Sequence, residues 1–105
     1  MRAIASLQMP IDGIHRLMIY VCDEGTYLFL YENKDDGPCI ADELYHSPEA
    51  AQKSAAERFD IGADDWTTIS DPAPEAQHDW IRPTRVKRDD SGTPLRGQFE
   101  PLSTN

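Results

Sequence analysis

A chain of 105 residues, 39% hydrophobic and 28% charged, has the length of one domain and enough apolar content for one core without disulfides or metals. Its longest apolar run, residues 17–22, is too short for a transmembrane helix, and residues 1–8 hold too short an apolar stretch for a signal peptide, so a soluble, cytoplasmic protein is expected. A net charge of −9 disfavours nucleic acid as a partner, because Lys and Arg neutralising phosphates supply most of that affinity.

Residues 1–13 contain Pro10 and the turn signal Asp12-Gly13 and read as a lead-in with one extended stretch. Residues 14–22 are β-rich (Ile14, Leu17, Ile19, Tyr20, Val21), and residues 26–32 repeat that character. Asp23-Glu24-Gly25 between them predicts a hairpin, with Gly25 supplying a positive φ. A second turn at residues 33–38 leads to a third strand over 39–46, weakened by Asp42 and Glu43 in its middle. Ser47-Pro48-Glu49 is a helix start, with Ser as N-cap, Pro at the first position and Glu at the positive dipole end. The helix should run through Phe59 or Asp60, put Ala51, Ala55, Ala56 and Phe59 on its buried side, and end with Gly62 as a left-handed cap.

After the acidic turn Asp64-Asp65, residues 66–69 form a short β-prone run, and Pro72 and Pro74 stiffen the loop that follows. Residues 79–86 are strand-like, but Pro83 confines them to an edge or a bulge. Beyond Lys87 the apolar content drops, and 88–105 is expected as a flexible tail to a single domain over 14–87. The expected fold is α+β: an antiparallel sheet of four to five strands, in the order β-β-β-α-β-β, with one helix packed on one face.

Alternation along the hairpin divides its side chains into two sets. Pairing Asp23 with Thr26 sets Val21 against Leu28 and Ile19 against Leu30, an aliphatic face that Leu17 joins and that suits the helix. A different turn length changes the pairs but not the division. The opposite face carries Tyr20, Tyr27, Phe29 and Tyr31. The third strand is expected to add Ile40 and Leu44 to the aliphatic side and Tyr45 to the aromatic one. One helix covers one face only, so the aromatic face is either covered by residues 66–86 with Trp66, Ile69, Trp80 and Ile81, paired with a second copy in a homodimer, or free to bind a partner.

The chemistry-bearing residues form no reactive constellation. His15, His46 and His78 are too far apart for a metal motif, Asp35-Asp36 and Asp64-Asp65 continue into no calcium loop and read as solvated turns, and Cys39 and His46 would point to opposite faces of one strand. Cys22 and Cys39 fit no CxxC or zinc pattern and are expected as reduced thiols, a disulfide requiring their strands to be neighbours. There is no phosphate loop, GxSxG or HExxH, so no catalytic residue, cofactor or metal is expected. Arg82, Arg85, Lys87 and Arg88 are the densest basic cluster, and residues 1–81, with 16 acids and 5 bases, are the counterpart they are expected to pair with.

The expected function is a small acidic bacterial interaction module that docks on a larger, basic protein through Tyr20, Tyr27, Phe29, Tyr31 and Tyr45. Immunity proteins, antitoxins and other nuclease inhibitors share this size and charge, an analogy of bulk properties alone. The alternative is a small enzyme or small-molecule-binding domain with a cleft between the sheet and the segment from Trp66 to Trp80. A flat exposed aromatic sheet favours the first reading, and a cleft lined by Trp66, Trp80 and a His the second.

Overall fold

Asp12 and Gly13 both take left-handed φ angles, 52° and 78°, and turn the chain back between two long strands. The computed structural model describes residues 1–102. The strands are β1 (Arg2–Ile11), β2 (Ile14–Cys22), β3 (Gly25–Tyr31), β4 (Ala41–Tyr45) and, after helix α1 (Pro48–Phe59) and a 3-10 turn at Ala63–Asp65, β5 (Thr67–Ile69). They form an antiparallel sheet in the order β4-β3-β2-β1-β5. With one helix on one face, this is the α+β architecture expected. The one extended stretch of the lead-in is a ten-residue strand lying between β2 and β5. Its buried side is Ala3, Ala5 and Leu7, and the two alanines gave it little β propensity to read.

The turn between β2 and β3 is Asp23-Glu24, so Cys22 lies opposite Gly25 and Ile19 opposite Leu28. This is two residues from the expected pairing, and the division into faces is unchanged because the shift is even. Gly25 takes φ +137°, and a Cβ there would lie 2.7 Å from the Tyr45 carbonyl oxygen, so both backbone angle and neighbouring strand demand glycine.

The helix begins as expected, with the Ser47 hydroxyl accepting from the Ala50 N–H at 3.1 Å and Pro48 at its first position. It ends on Asp60, whose φ of 57° makes it the left-handed cap in place of Gly62, which is extended. The early reversal puts Ile61 into the core. There Ala51, Ala55 and Phe59 pack on Leu17, Ile19, Leu28 and Leu30, while Ala56, expected beside them, is exposed because it lies one residue past Ala55 around the helix.

β4 corrects the expected parity. Tyr45 lies opposite Thr26, Glu43 opposite Leu28 and Ala41 opposite Leu30, so Tyr45 belongs to the helix side, not the aromatic face. The cause is the loop from residue 32 to residue 40, whose irregular course gives the incoming strand no fixed phase. Ile40 and Leu44 are correspondingly exposed, at 52% and 53%. Tyr45 and Glu43 meet the helix through a polar cluster: the Tyr45 hydroxyl donates to Glu43 Oε1 (2.7 Å) and lies 2.8 Å from Ser54 Oγ, while Arg58 Nη1 donates to Glu43 Oε1 (2.6 Å). The Arg58 guanidinium, helped by the Tyr45 hydroxyl against partial burial, holds the Glu43 carboxyl below its ordinary value. A depressed folded-state pKa gives stabilisation that is complete above the unfolded value and lost as pH falls through the folded one. A carboxyl-carbon NMR titration should therefore find Glu43 titrating below a free glutamate, and Arg58→Met should move it up toward the free-glutamate value. An unmoved midpoint would rule out this pairing.

Residues 84–101 build a second, separate layer. β6 (Thr84–Arg88) pairs antiparallel with β7 (Pro94–Pro101), with Val86 opposite Phe99, in a two-stranded hairpin outside the main sheet. The stretch expected as a sheet-edge strand over 79–86 is thus irregular to Pro83 and then joins this hairpin. Where a flexible tail is expected from residue 88, the structure places a strand, β7. The last three residues of that expected tail, 103–105, lie outside the described residues.

Candidate functional site

The sheet face away from the helix carries Arg2, Ile4, Arg16, Met18, Tyr20, Tyr27, Phe29 and Tyr31, and residues 70–81 run across it as an irregular cover. Met18, Phe29 and Tyr31 form a second buried cluster, with Ile69 of β5 and Ile81 of the cover packed against it. Trp66, expected in that cover, packs on the helix-side core instead.

Irregular backbone laid on an apolar face needs hydrogen-bond partners, and here side chains of the sheet supply them. Arg2, 2% exposed, donates from Nε to Ser70 O (2.7 Å), from Nη1 to His78 O (2.9 Å) and Trp80 O (2.6 Å), and from Nη2 to Ile81 O (3.4 Å). The Tyr31 hydroxyl donates to the Asp79 carbonyl. In the other direction, Asp79 Oδ2 accepts from the Cys39 N–H (2.9 Å), and Asp36 accepts from the N–H groups of Ile81 (2.8 Å) and Arg82 (2.9 Å). Asp36 is therefore a tether with a largely buried carboxylate, not half of a solvated turn.

The cover divides the five aromatic residues expected to meet a partner. Tyr31 (1% exposed) and Phe29 (6%) are interior, Tyr20 and Tyr27 are half-buried at the margin, and Tyr45 is on the other side of the sheet. Burial accordingly raises the Tyr31 hydroxyl well above its ordinary pKa.

At the margin a cleft of about 460 Å³ opens between the end of the β2–β3 hairpin and the cover. Tyr20, Tyr27 and the edge of Phe29 line it on the sheet side, and Gln77, His78 and Asp79 on the cover side. The rings of Tyr27 and Phe29 are stacked, 2° from parallel with centroids 5.7 Å apart, and the Tyr20 ring lies 5.0 Å from the His78 ring. Four carboxylates line the cleft, those of Asp23, Glu24, Asp42 and Asp79, and none of its lining residues is Lys or Arg. Glu24 is fixed by the Tyr27 hydroxyl, which donates to it at 2.8 Å and whose pKa rises in consequence. Aromatic rings among uncompensated carboxylates favour a cation, through the ring quadrupoles and by direct charge.

Cys22 and Cys39 also line this cleft as free thiols, and β3 separates the strand of Cys22 from β4, which Cys39 precedes. Burial, then the Asp79 carboxylate, pushes Cys39 up to about 12, so it is not a thiolate nucleophile near neutrality. Among the described residues no three His, Cys, Asp or Glu side chains are grouped to hold a metal ion. Of the three histidines only His78 lines the cleft, and Trp66 and Trp80 do not. In the basic cluster Arg82 meets Asp36 of the body (3.5 Å), whereas Arg85 pairs within its own hairpin with Glu100 (2.7 Å).

Sequence reading missed Arg2, Arg16, Asp36 and Asp79. The available signal was parity within β2, where Arg16 falls on the same alternation as Tyr20 and a charged side chain inside an aromatic stripe points to a polar cover; a register shift between Ser6 and Ile11 cuts Arg2 off from that phase. Comparison with protein-family models, with curated proteins and with solved structures finds no match to this chain.

Proposed function

We propose that this chain is a non-enzymatic binding module that docks on a basic protein, its cleft at Tyr20 and Tyr27 receiving a Lys or Arg side chain. One observation carries the reading: the cleft joins an aromatic floor to four carboxylates without a lining Lys or Arg. The net charge of −9 supports it by steering a basic partner toward the acidic surface. Two free thiols suit a reducing compartment, so the cytoplasm is the proposed location; among the described residues no helix is long and apolar enough to cross a membrane. A second reading, capture of a small organic cation, is favoured by a volume within the usual range for ligand pockets, about 300–1,000 Å³.

The test uses n-butylguanidinium and its neutral isostere n-butylurea as NMR probes. The cation should shift the ring resonances of Tyr20, Tyr27 and His78 with millimolar affinity, and lose that effect at high salt and in Asp23→Asn/Asp42→Asn. Equal shifts from the urea, or none from either, would overturn the reading. Spermidine binding far more tightly than any basic peptide would move the small-cation reading to the front.

A further inference from the structure

We infer that the basic partner is taken up as an extended segment added to the outer edge of β4, with an arginine laid across Asp42 into the aromatic cleft. This rests on the cation-binding reading of the cleft and goes beyond it by fixing the partner's conformation and side-chain pattern.

β4 ends the sheet, and among the described residues β3 is the one strand paired with it. None of its residues from Ala41 to Tyr45 is fully buried. An edge strand presents a row of unpaired N–H and C=O groups, the template for adding another strand. At the other end of the sheet, β5 offers only three residues.

The two sides of β4 differ in what they leave available. On the helix side Glu43 and Tyr45 are committed to Arg58 and Ser54. On the cleft side Asp42 lies opposite Phe29 and Leu44 opposite Tyr27, and both side chains are exposed. Ile40, one residue ahead of β4, is tied to β3 by an N–H donated to the Leu30 carbonyl at 2.8 Å, and lines a neighbouring depression with Tyr31 and Trp80. The cleft side of the edge thus runs apolar, carboxylate, apolar: Ile40, Asp42, Leu44. Its complement is an extended segment with apolar, basic, apolar residues at every second position, since alternate side chains share a face. Strands lie about 4.7–4.9 Å apart, so an arginine on the added strand can cross over Asp42 and bring its guanidinium to the Tyr27 ring.

The same features exclude a second copy of this chain as the occupant. Antiparallel pairing of β4 with itself would gather Asp42 and Glu43 of both copies along one seam, between bodies of net charge −9. The acidic edge rejects self-pairing and selects a basic strand.

The probe is the blocked heptapeptide acetyl-TVTRTVT-amide, whose valines and arginine share one face. It should bind at least tenfold more tightly than n-butylguanidinium and slow hydrogen exchange at alternate amides of β4. Peptide N-methylated at alternate residues should lose that gain, Asp42→Lys should abolish binding, and Leu44→Thr should weaken it severalfold. Both altered side chains are exposed, so folding is not at issue. If the peptide binds no better than the guanidinium and leaves β4 amides unprotected, the edge inference falls while the cleft reading stands. If neither probe binds, both fall. Equal binding after Arg→Glu in the peptide, or protection of β4 by concentration-dependent dimerisation without peptide, overturns the proposed partner chemistry.

Discussion

Replacing Arg2 with methionine is expected to destabilise the protein by about 3–5 kcal/mol, the range for removing one partner of a buried charged contact. For a domain of this size that corresponds to a fall in Tm of more than about 12 °C. The reasoning starts from the cover. Residues 70–81 are irregular, and their carbonyls at Ser70, His78, Trp80 and Ile81 point into the molecule, where the Arg2 guanidinium is their donor. Methionine fills much of the same space but leaves four inward carbonyls unsatisfied. The cover should then detach locally, and the Ile81 and Arg82 amides, bound to Asp36 in the intact protein, should exchange faster than the helix amides. Arg2→Lys should recover part of the loss, because an ammonium has three donors but lacks the planar fork. An unchanged Tm with protected Ile81 and Arg82 amides would show that the cover is held by other contacts.

Arg16 is the internal control. Its side chain is 1% exposed and its guanidinium carbon lies 3.9 Å from the Tyr31 ring centroid, yet among the described residues none of its three nitrogens has a protein hydrogen-bond partner. Removing it orphans no carbonyl and relieves a desolvated charge, so Arg16→Met should cost much less than Arg2→Met, or stabilise. Two buried arginines on one sheet face would then differ in sign or in size for a reason visible in their partners alone.

How far the fold could be read from sequence follows from which features are local. The hairpin, its faces, the helix and its Ser47 cap rest on neighbouring residues and period, and these emerged correctly. Asp60 took the left-handed cap from Gly62 because Ile61 had a place in the core, a tertiary preference that no dipeptide carries. The parity of β4 depended on the path of residues 32–40, and Tyr45 was misplaced for that reason. The candidate site was legible in half: alternation grouped Tyr20, Tyr27, Phe29 and Tyr31, but burial of Phe29 and Tyr31 depends on tethers many residues away in sequence. Arg2 reaches carbonyls 68 to 79 residues ahead, and Asp36 reaches amides 45 and 46 residues ahead. The carboxylates of the cleft were visible as composition only, since it takes the hairpin turn, β4 and the cover together to bring Asp23, Asp42 and Asp79 to one hollow.

The pair Phe29→Ala and Tyr31→Ala should unfold the protein. Each removes a buried aromatic side chain, which costs about 3–5 kcal/mol, and total stabilities of about 5–15 kcal/mol leave little after both. Tyr31 adds a further loss, because its hydroxyl donates to the Asp79 carbonyl and holds the cover beside Arg2. A freely exposed aromatic docking face would have given the opposite result, lost partner capture at nearly unchanged Tm. That outcome is expected to be approached only at the margin. Tyr20→Ala with Tyr27→Ala should abolish n-butylguanidinium shifts at His78 with less than half the Tm decrease of the interior pair, since both rings are half-buried. The comparison separates residues that alternation alone makes equivalent. Four aromatic side chains share one sheet face, and the tethers from Arg2, Tyr31 and Asp36 place the cover over two of them. What remains open beside Tyr20 and Tyr27 is the acidic hollow, so the stability of the cover sets the size and chemistry of the binding surface. A Tm that barely moves in the interior pair would refute that division and return all four rings to the surface.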